Sequence, residues 1–250
     1  MNRNHLKIIA CVSMLCDHIG YLLLPQVVWL RWIGRLALPL FAFFIGEGCR
    51  YTHSRKRYLL QLSALAVGCQ SAYFIEELIG SHGRLTASSG CWYFNVLFTF
   101  VLSCFACFLW LDGQKALQNG QKKTAAGRFA LLAVYLGILS LFTWFAWRQR
   151  KTEGWSLYVD YGLCGALLPL SAVLFEKRWA KPAAFGGMTA VYCTVFTPTM
   201  PYVWFSLAAI PLLLCYNGQG GSKKLKYLFY VFYPAHLALL VLIRYLAAGI

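Results

Sequence analysis

Apolar residues recur in long runs along this chain, separated by short polar stretches. The runs cover 6–24, 30–48, 58–78, 93–111, 129–147, 157–175, 183–198, 201–217 and 228–247. At a helical rise of about 1.5 Å per residue, runs of this length cross or nearly cross a hydrocarbon layer of about 30 Å. The pattern predicts an all-α fold, a polytopic transmembrane helical bundle of about nine spans, with residues 1–250 as one integral membrane domain. The seventh and eighth runs are the shortest. Between them TPTMP (197–201) reads either as a tight extracytoplasmic turn or as a break inside one re-entrant element, since paired prolines interrupt helices. Two connectors, DGQKALQNGQKK (112–123) and NGQGGSKK (217–224), are polar and Gly-rich.

Composition agrees: 60% of residues are hydrophobic and 12% charged, more apolar surface than a soluble chain hides. The first run is polar in its middle and has no small-residue cleavage site, so it reads as a retained span rather than a signal peptide. The net charge of +15 does not point to nucleic acid, because the basic residues sit in short loops between apolar runs. Acidic membrane lipids are their expected partners. With the amino terminus inside, sixteen Lys and Arg fall in inside segments and four in outside loops, which favours an N-in/C-out orientation. RQRK at 148–151 runs against that bias. The ten cysteines, Cys91 among them, lie mostly within apolar runs, where they act as small hydrophobes. Cys104 and Cys107 have CxxC spacing but no second pair accompanies them, and no metal is expected.

Chemistry is suggested first by Asp17 and His18, adjacent ionisable groups inside LKIIACVSMLCDHIGYLLL. Groups at that depth cost several kcal/mol unless they are paired or face water, at about 2.5–3.5 kcal/mol for an Asp at a span centre. On a helix they diverge by about 100°, so one can meet a reactant while the other anchors to a neighbouring helix. Arg35, in the second run, comes within pairing range of Asp17 if the short link PQVVW closes an antiparallel hairpin. That pair alone would also serve as a helix–helix clasp. Pro39 is expected to loosen the second span. Its cytoplasmic end, GCRYTHSRKRY, gathers Arg50, His53, Arg55, Lys56 and Arg57, a patch suited to phosphates and equally to lipid headgroups. Asn95 and Thr99 stand four apart at the start of the fourth span, Asp160 one turn inside the sixth, and Tyr233 and His236 three apart in the ninth. Polar groups contributed by five spans to an apolar interior mark a substrate path or reaction centre.

These blocks resemble the TraX family of integral membrane proteins, named after the F-pilin acetylation protein. The similar stretches are LKIIACVSMLCDHIGYLLLP (6–25), IGRLALPLFAFFIGEGCRYTHSRKRYLLQL (33–62), FNVLFT (94–99), VDYGLCGALL (159–168) and YVFYPAHLALL (230–240), in family order. The resemblance implies a membrane acyltransferase of the bacterial cytoplasmic membrane that takes acetyl from acetyl-CoA. The resemblance leaves the acceptor, an extracytoplasmic or membrane-proximal amine or hydroxyl, open among a glycan, a lipid headgroup and a peptide amine.

Acyl transfer from a thioester needs a base for the nucleophile and a stabiliser for the oxyanion. His18 is the expected base, with Asp17 orienting the site or pairing with Arg35, and His236 a second relay or alternative base. Asn95, Tyr233 and Arg35 are the candidate oxyanion donors, with Thr99 alongside. Arg50, His53, Arg55, Lys56 and Arg57 are expected to hold the phosphates of the acyl-CoA. The competing class is a proton-coupled transporter using Asp17, His18, Asp160 and His236 as a relay. The lack of visible internal repeats counts against it.

Overall fold

The computed structural model of the chain describes residues 1–80, 93–153, 157–177, 180–220 and 225–248. Cys91, Arg84, Arg178, Lys223 and Lys224, which entered the cysteine and charge readings above, lie outside the described residues. Every predicted span is met by helix. The elements are α1 (Arg3–Leu22), α2 (Val28–Gly34), α3 (Ala37–Tyr51), α4 (Arg55–Gly80), α5 (Val96–Gln118) and α6 (Lys122–Glu153). They continue with α7 (Gly162–Leu174), α8 (Ala180–Phe196), a 3-10 helix (Pro201–Ala208) running into α9 (Ala209–Leu214), and α10 (Leu225–Ala248). Among the described residues five stretches are long and apolar enough to cross a membrane: Val28–Tyr51, Arg55–Ile75, Val96–Gln118, Lys122–Arg150 and Tyr230–Ala247. The chain is a polytopic helical membrane protein. It divides into two compact units, 1–43 with 178–250 and 44–177, the division falling within α3.

In the first unit, Asn2 caps α1 by accepting from the amides of Asn4 and His5, satisfying two of the donors a helix start leaves open. The α1–α2 hairpin closes on two glycines. A Cβ at Gly20 would lie 2.9 Å from Leu30 Cβ, and one at Gly34 would overlap the Asp17 side chain. Small residues at such contacts let membrane helices approach closely.

The second predicted span is two helices, parted at Arg35–Leu36. Pro39 therefore sits in the first turn of α3, where a missing amide does little harm. The carbonyl it leaves without a helical donor is that of Arg35, and Ser206 Oγ donates to it at 3.0 Å. TPTMP is a turn: α8 ends at Phe196, the Met200 amide bonds back to the Phe196 carbonyl at 2.8 Å, and Pro201 opens the 3-10 helix. Eight 3-10 residues rise about 16 Å and six α-helical ones about 9 Å, so this short stretch reaches roughly 25 Å.

In the second unit, α4, α6 and α7 pack against α5. Two-residue strands β1 (Tyr93–Phe94) and β2 (Tyr158–Val159) pair in parallel, and the Asp160 amide extends the pairing to the Phe94 carbonyl at 2.9 Å. Tyr161 (φ 58°) and Gly162 (φ 48°) then turn the chain into α7. The helix of the sixth predicted span, α7, consequently begins at Gly162 rather than near 157, and Asp160 precedes it instead of lying one turn inside.

Candidate functional site

The 100° divergence of neighbouring helix positions sends Asp17 toward α2 and His18 toward α10. Asp17 is shared by two guanidiniums. Arg35 Nη2 donates to Asp17 Oδ1, and Arg31 Nη1 lies 3.0 Å from Oδ2 while also donating to the Asp17 carbonyl at 3.1 Å. Arg31 and Arg35 stand four apart across the end of α2, so both guanidiniums reach the same partner. Arg35 is 4% exposed; its Nε donates to the Arg31 carbonyl and its Nη1 to Met200 Sδ at 3.7 Å. The Tyr202 ring lies beneath both guanidiniums, 5.9 Å from Arg31 Cζ and 5.5 Å from Arg35 Cζ, and Tyr21 adds a second face under Arg31 at 5.1 Å. One carboxylate between two cations leaves this cluster with a net positive charge.

His18 lies beside the cluster on the adjoining face of α1. Its Nδ1 is 2.9 Å from the Met14 carbonyl oxygen and 3.1 Å from His236 Nε2. His236 Nδ1 donates to the Phe232 carbonyl at 2.7 Å, one turn back on α10. Its ring stacks on Phe232, with centroids 4.9 Å apart and planes 9° from parallel, and meets Tyr233 edge-on at 5.8 Å. His236 is buried and His18 only partly so.

The other candidates belong to the second unit. Asn95 is the N-cap of α5: its Oδ1 accepts from the Leu97 amide, and its Nδ2 donates to the Ala66 carbonyl and Gln70 Oε1, each at 3.1 Å. Both amide hydrogens are thus committed to joining α4 and α5. Thr99 Oγ1 donates to the Asp160 carbonyl at 2.5 Å, tying α5 to the turn before α7. Arg50 pairs with Glu176 at 2.6 Å and donates to the Val173 carbonyl at 2.7 Å, while Arg55 pairs with Asp112 at 2.7 Å and lies over the Phe108 ring. His53, Lys56 and Arg57 are exposed around the turn between α3 and α4. Among the described residues no group of three or more His, Cys, Asp or Glu side chains is arranged to hold a metal ion.

Reading the sequence residue by residue missed Arg31, Met200, Tyr202 and Ser206. The i, i+4 spacing to Arg35 was a usable signal for Arg31. The other three come from the 3-10 helix and the residue before it, 165 to 171 positions from Arg35, and no local pattern announces them.

Comparison with known proteins bears on this arrangement. The family model described as "TraX protein" matches residues 2–244, both histidines and both arginines included. The chain belongs to the TraX family. A curated relative, the probable fimbrial assembly protein FimC (serogroup H1) of Dichelobacter nodosus, is 29% identical, over 94% of this chain and 92% of its own length. An uncharacterised protein of Rickettsia prowazekii is 49% identical over 41 residues, 16% of each chain. No solved structure matches this TraX family member.

Proposed function

We propose that this TraX family protein is a membrane acyltransferase, moving an acetyl or similar short acyl group from acyl-CoA to an amine or hydroxyl acceptor. Its proposed location is the bacterial cytoplasmic membrane. The observation that carries the reading is a histidine pair set beside a carboxylate that two arginines already hold. Both carboxylate oxygens of Asp17 are already taken up by guanidiniums, so proton handling falls to imidazole, whose two ring nitrogens can accept one proton while holding another.

In the proposed reaction His18 takes the proton of the attacking amine or hydroxyl as its nitrogen or oxygen bonds to the acyl carbon. The carbon–sulfur bond then breaks, and the proton passes from His18 to the departing thiolate, giving free CoA. The net positive charge at Arg31 and Arg35 favours the oxyanion that forms on the way. His53, Lys56 and Arg57 are the side chains we assign to the donor's phosphates, since Arg50 and Arg55 already have carboxylate partners. Fimbrial assembly, the role in the name of the Dichelobacter relative, makes a protein amine the first acceptor to examine, ahead of glycan hydroxyls and lipid headgroups.

The test is acyl transfer from radiolabelled acetyl-CoA by purified protein in bilayers supplied with envelope components. The expected result is labelled acceptor and stoichiometric release of CoA thiol, with His18→Ala reducing turnover by ~10²-fold or more. Full turnover by a folded His18→Ala protein would remove His18 from the reaction.

A further inference from the structure

The two imidazoles fix where their protons sit. A carbonyl oxygen only accepts, so His236 Nδ1, 2.7 Å from the Phe232 carbonyl, is the protonated nitrogen of that ring. In the neutral ring its Nε2 is then a lone pair. His18 Nδ1 faces two acceptors, this lone pair at 3.1 Å and the Met14 carbonyl at 2.9 Å, and only an N–H there satisfies either. The lone pair of neutral His18 is therefore on Nε2, for which the described residues offer no hydrogen-bond partner.

The geometry points to His236 as a positioning residue: it accepts the Nδ1–H of His18, orients that ring and stabilises its cation once Nε2 has taken a proton. This inference rests on the acyl-transfer reading and names the reacting nitrogen and its support. The Met14 carbonyl belongs to the same helix as His18 and fixes the ring only relative to α1. His236 reaches across from α10, is itself held by the Phe232 carbonyl, and lies against the Phe232 ring. Its part is the one a carboxylate plays toward histidine in serine hydrolases, filled by a neutral acceptor. Asp17 and Arg31, the charged groups that bear on His18, are bound to each other, so neither takes over this contact.

Two measurements test it on the full-length protein in bilayers. First, 15N-histidine NMR, with the His18 signals identified by their loss in His18→Gln, reads the tautomer directly. A protonated Nδ1 and an unprotonated Nε2 in neutral His18 are expected; the reverse assignment overturns the inference. This reading does not depend on turnover. If the unaltered protein moves no acyl group, the acyl-transfer reading fails while the tautomer still decides on the pair.

Second, the variants His236→Gln and His236→Phe are compared. The Gln carbonyl can take the place of the Nε2 acceptor, whereas Phe keeps a ring in place without it. The expected result is kcat within about tenfold of the unaltered protein for Gln and a further loss of about tenfold or more for Phe, with KM for acyl-CoA unchanged in both. Equal kcat for the two variants, or a loss confined to KM, would also overturn it.

Discussion

Asp17 carries more of this protein's organisation than its single charge suggests. Its carboxylate is the partner of a guanidinium that is 4% exposed, so removing it strands a buried cation. Asp17→Asn is expected to destabilise the protein by about 3–5 kcal/mol, read as loss of thermal stability in detergent. Arg31→Ala should cost less, because Asp17 keeps Arg35. Gly34→Ala should behave like a mild Asp17 lesion: the new methyl overlaps the Asp17 side chain, at a cost of about 1–3 kcal/mol. If Gly34→Ala leaves the melting temperature unchanged, the hairpin is looser than its geometry implies. The Asp17–Arg35 pairing was legible beforehand because buried charges in lipid need partners and the hairpin link is short. That Arg31 shares the carboxylate was legible only in its spacing.

At the level of elements, proline and serine act together. Pro39 has no amide to offer the Arg35 carbonyl, and Ser206, 171 residues away, supplies the donor instead. Ser206→Ala should cost about 1 kcal/mol in the native background and distinctly less with Pro39→Ala, which restores a local amide. Equal costs in the two backgrounds would show that the two residues are uncoupled. The sequence announced the proline but not its effect. The proline is expected to loosen the second span; what forms is a new helix start, with the interruption placed just before it. Asp160 was misplaced for a related reason, since its apolar surroundings read as helix while the two-residue β pairing just before it and the left-handed turn at Tyr161–Gly162 hold it outside α7. Asn95 is a cap that also joins two helices, a role its spacing to Thr99 does not announce. Asn95→Ala should lower stability by about 1–2 kcal/mol through loss of the cap, whatever it does to turnover.

Across the whole molecule, helix content was the most legible feature, because a backbone in lipid must satisfy its own hydrogen bonds and long apolar runs have little choice but helix. Contacts far apart in sequence left no trace in it, and so Tyr202 and Met200 went unseen. Orientation is a matter of charge. With the amino terminus inside, Lys56→Cys should react with a thiol reagent only from the cytoplasmic side and Gln26→Cys only from outside, both in a Cys215→Ser background; the opposite labelling would invert the topology. The exposed basic turn has its own check. Replacing Lys56 and Arg57 with alanine should raise KM for acyl-CoA severalfold, more at low salt, while leaving kcat nearly constant.

The two halves of the histidine–arginine centre also differ in when synthesis makes them available. The ion pair joins residues 18 apart and can close as soon as the first hairpin has entered the bilayer. The imidazole contact joins residues 218 apart and must wait for the last helix. A ribosome that stalled after α9 would leave an inserted chain with Asp17 already paired and His18 still without its partner imidazole. Closing the ion pair and completing the imidazole contact are thus separable events in biosynthesis, and the arrival of α10 divides them.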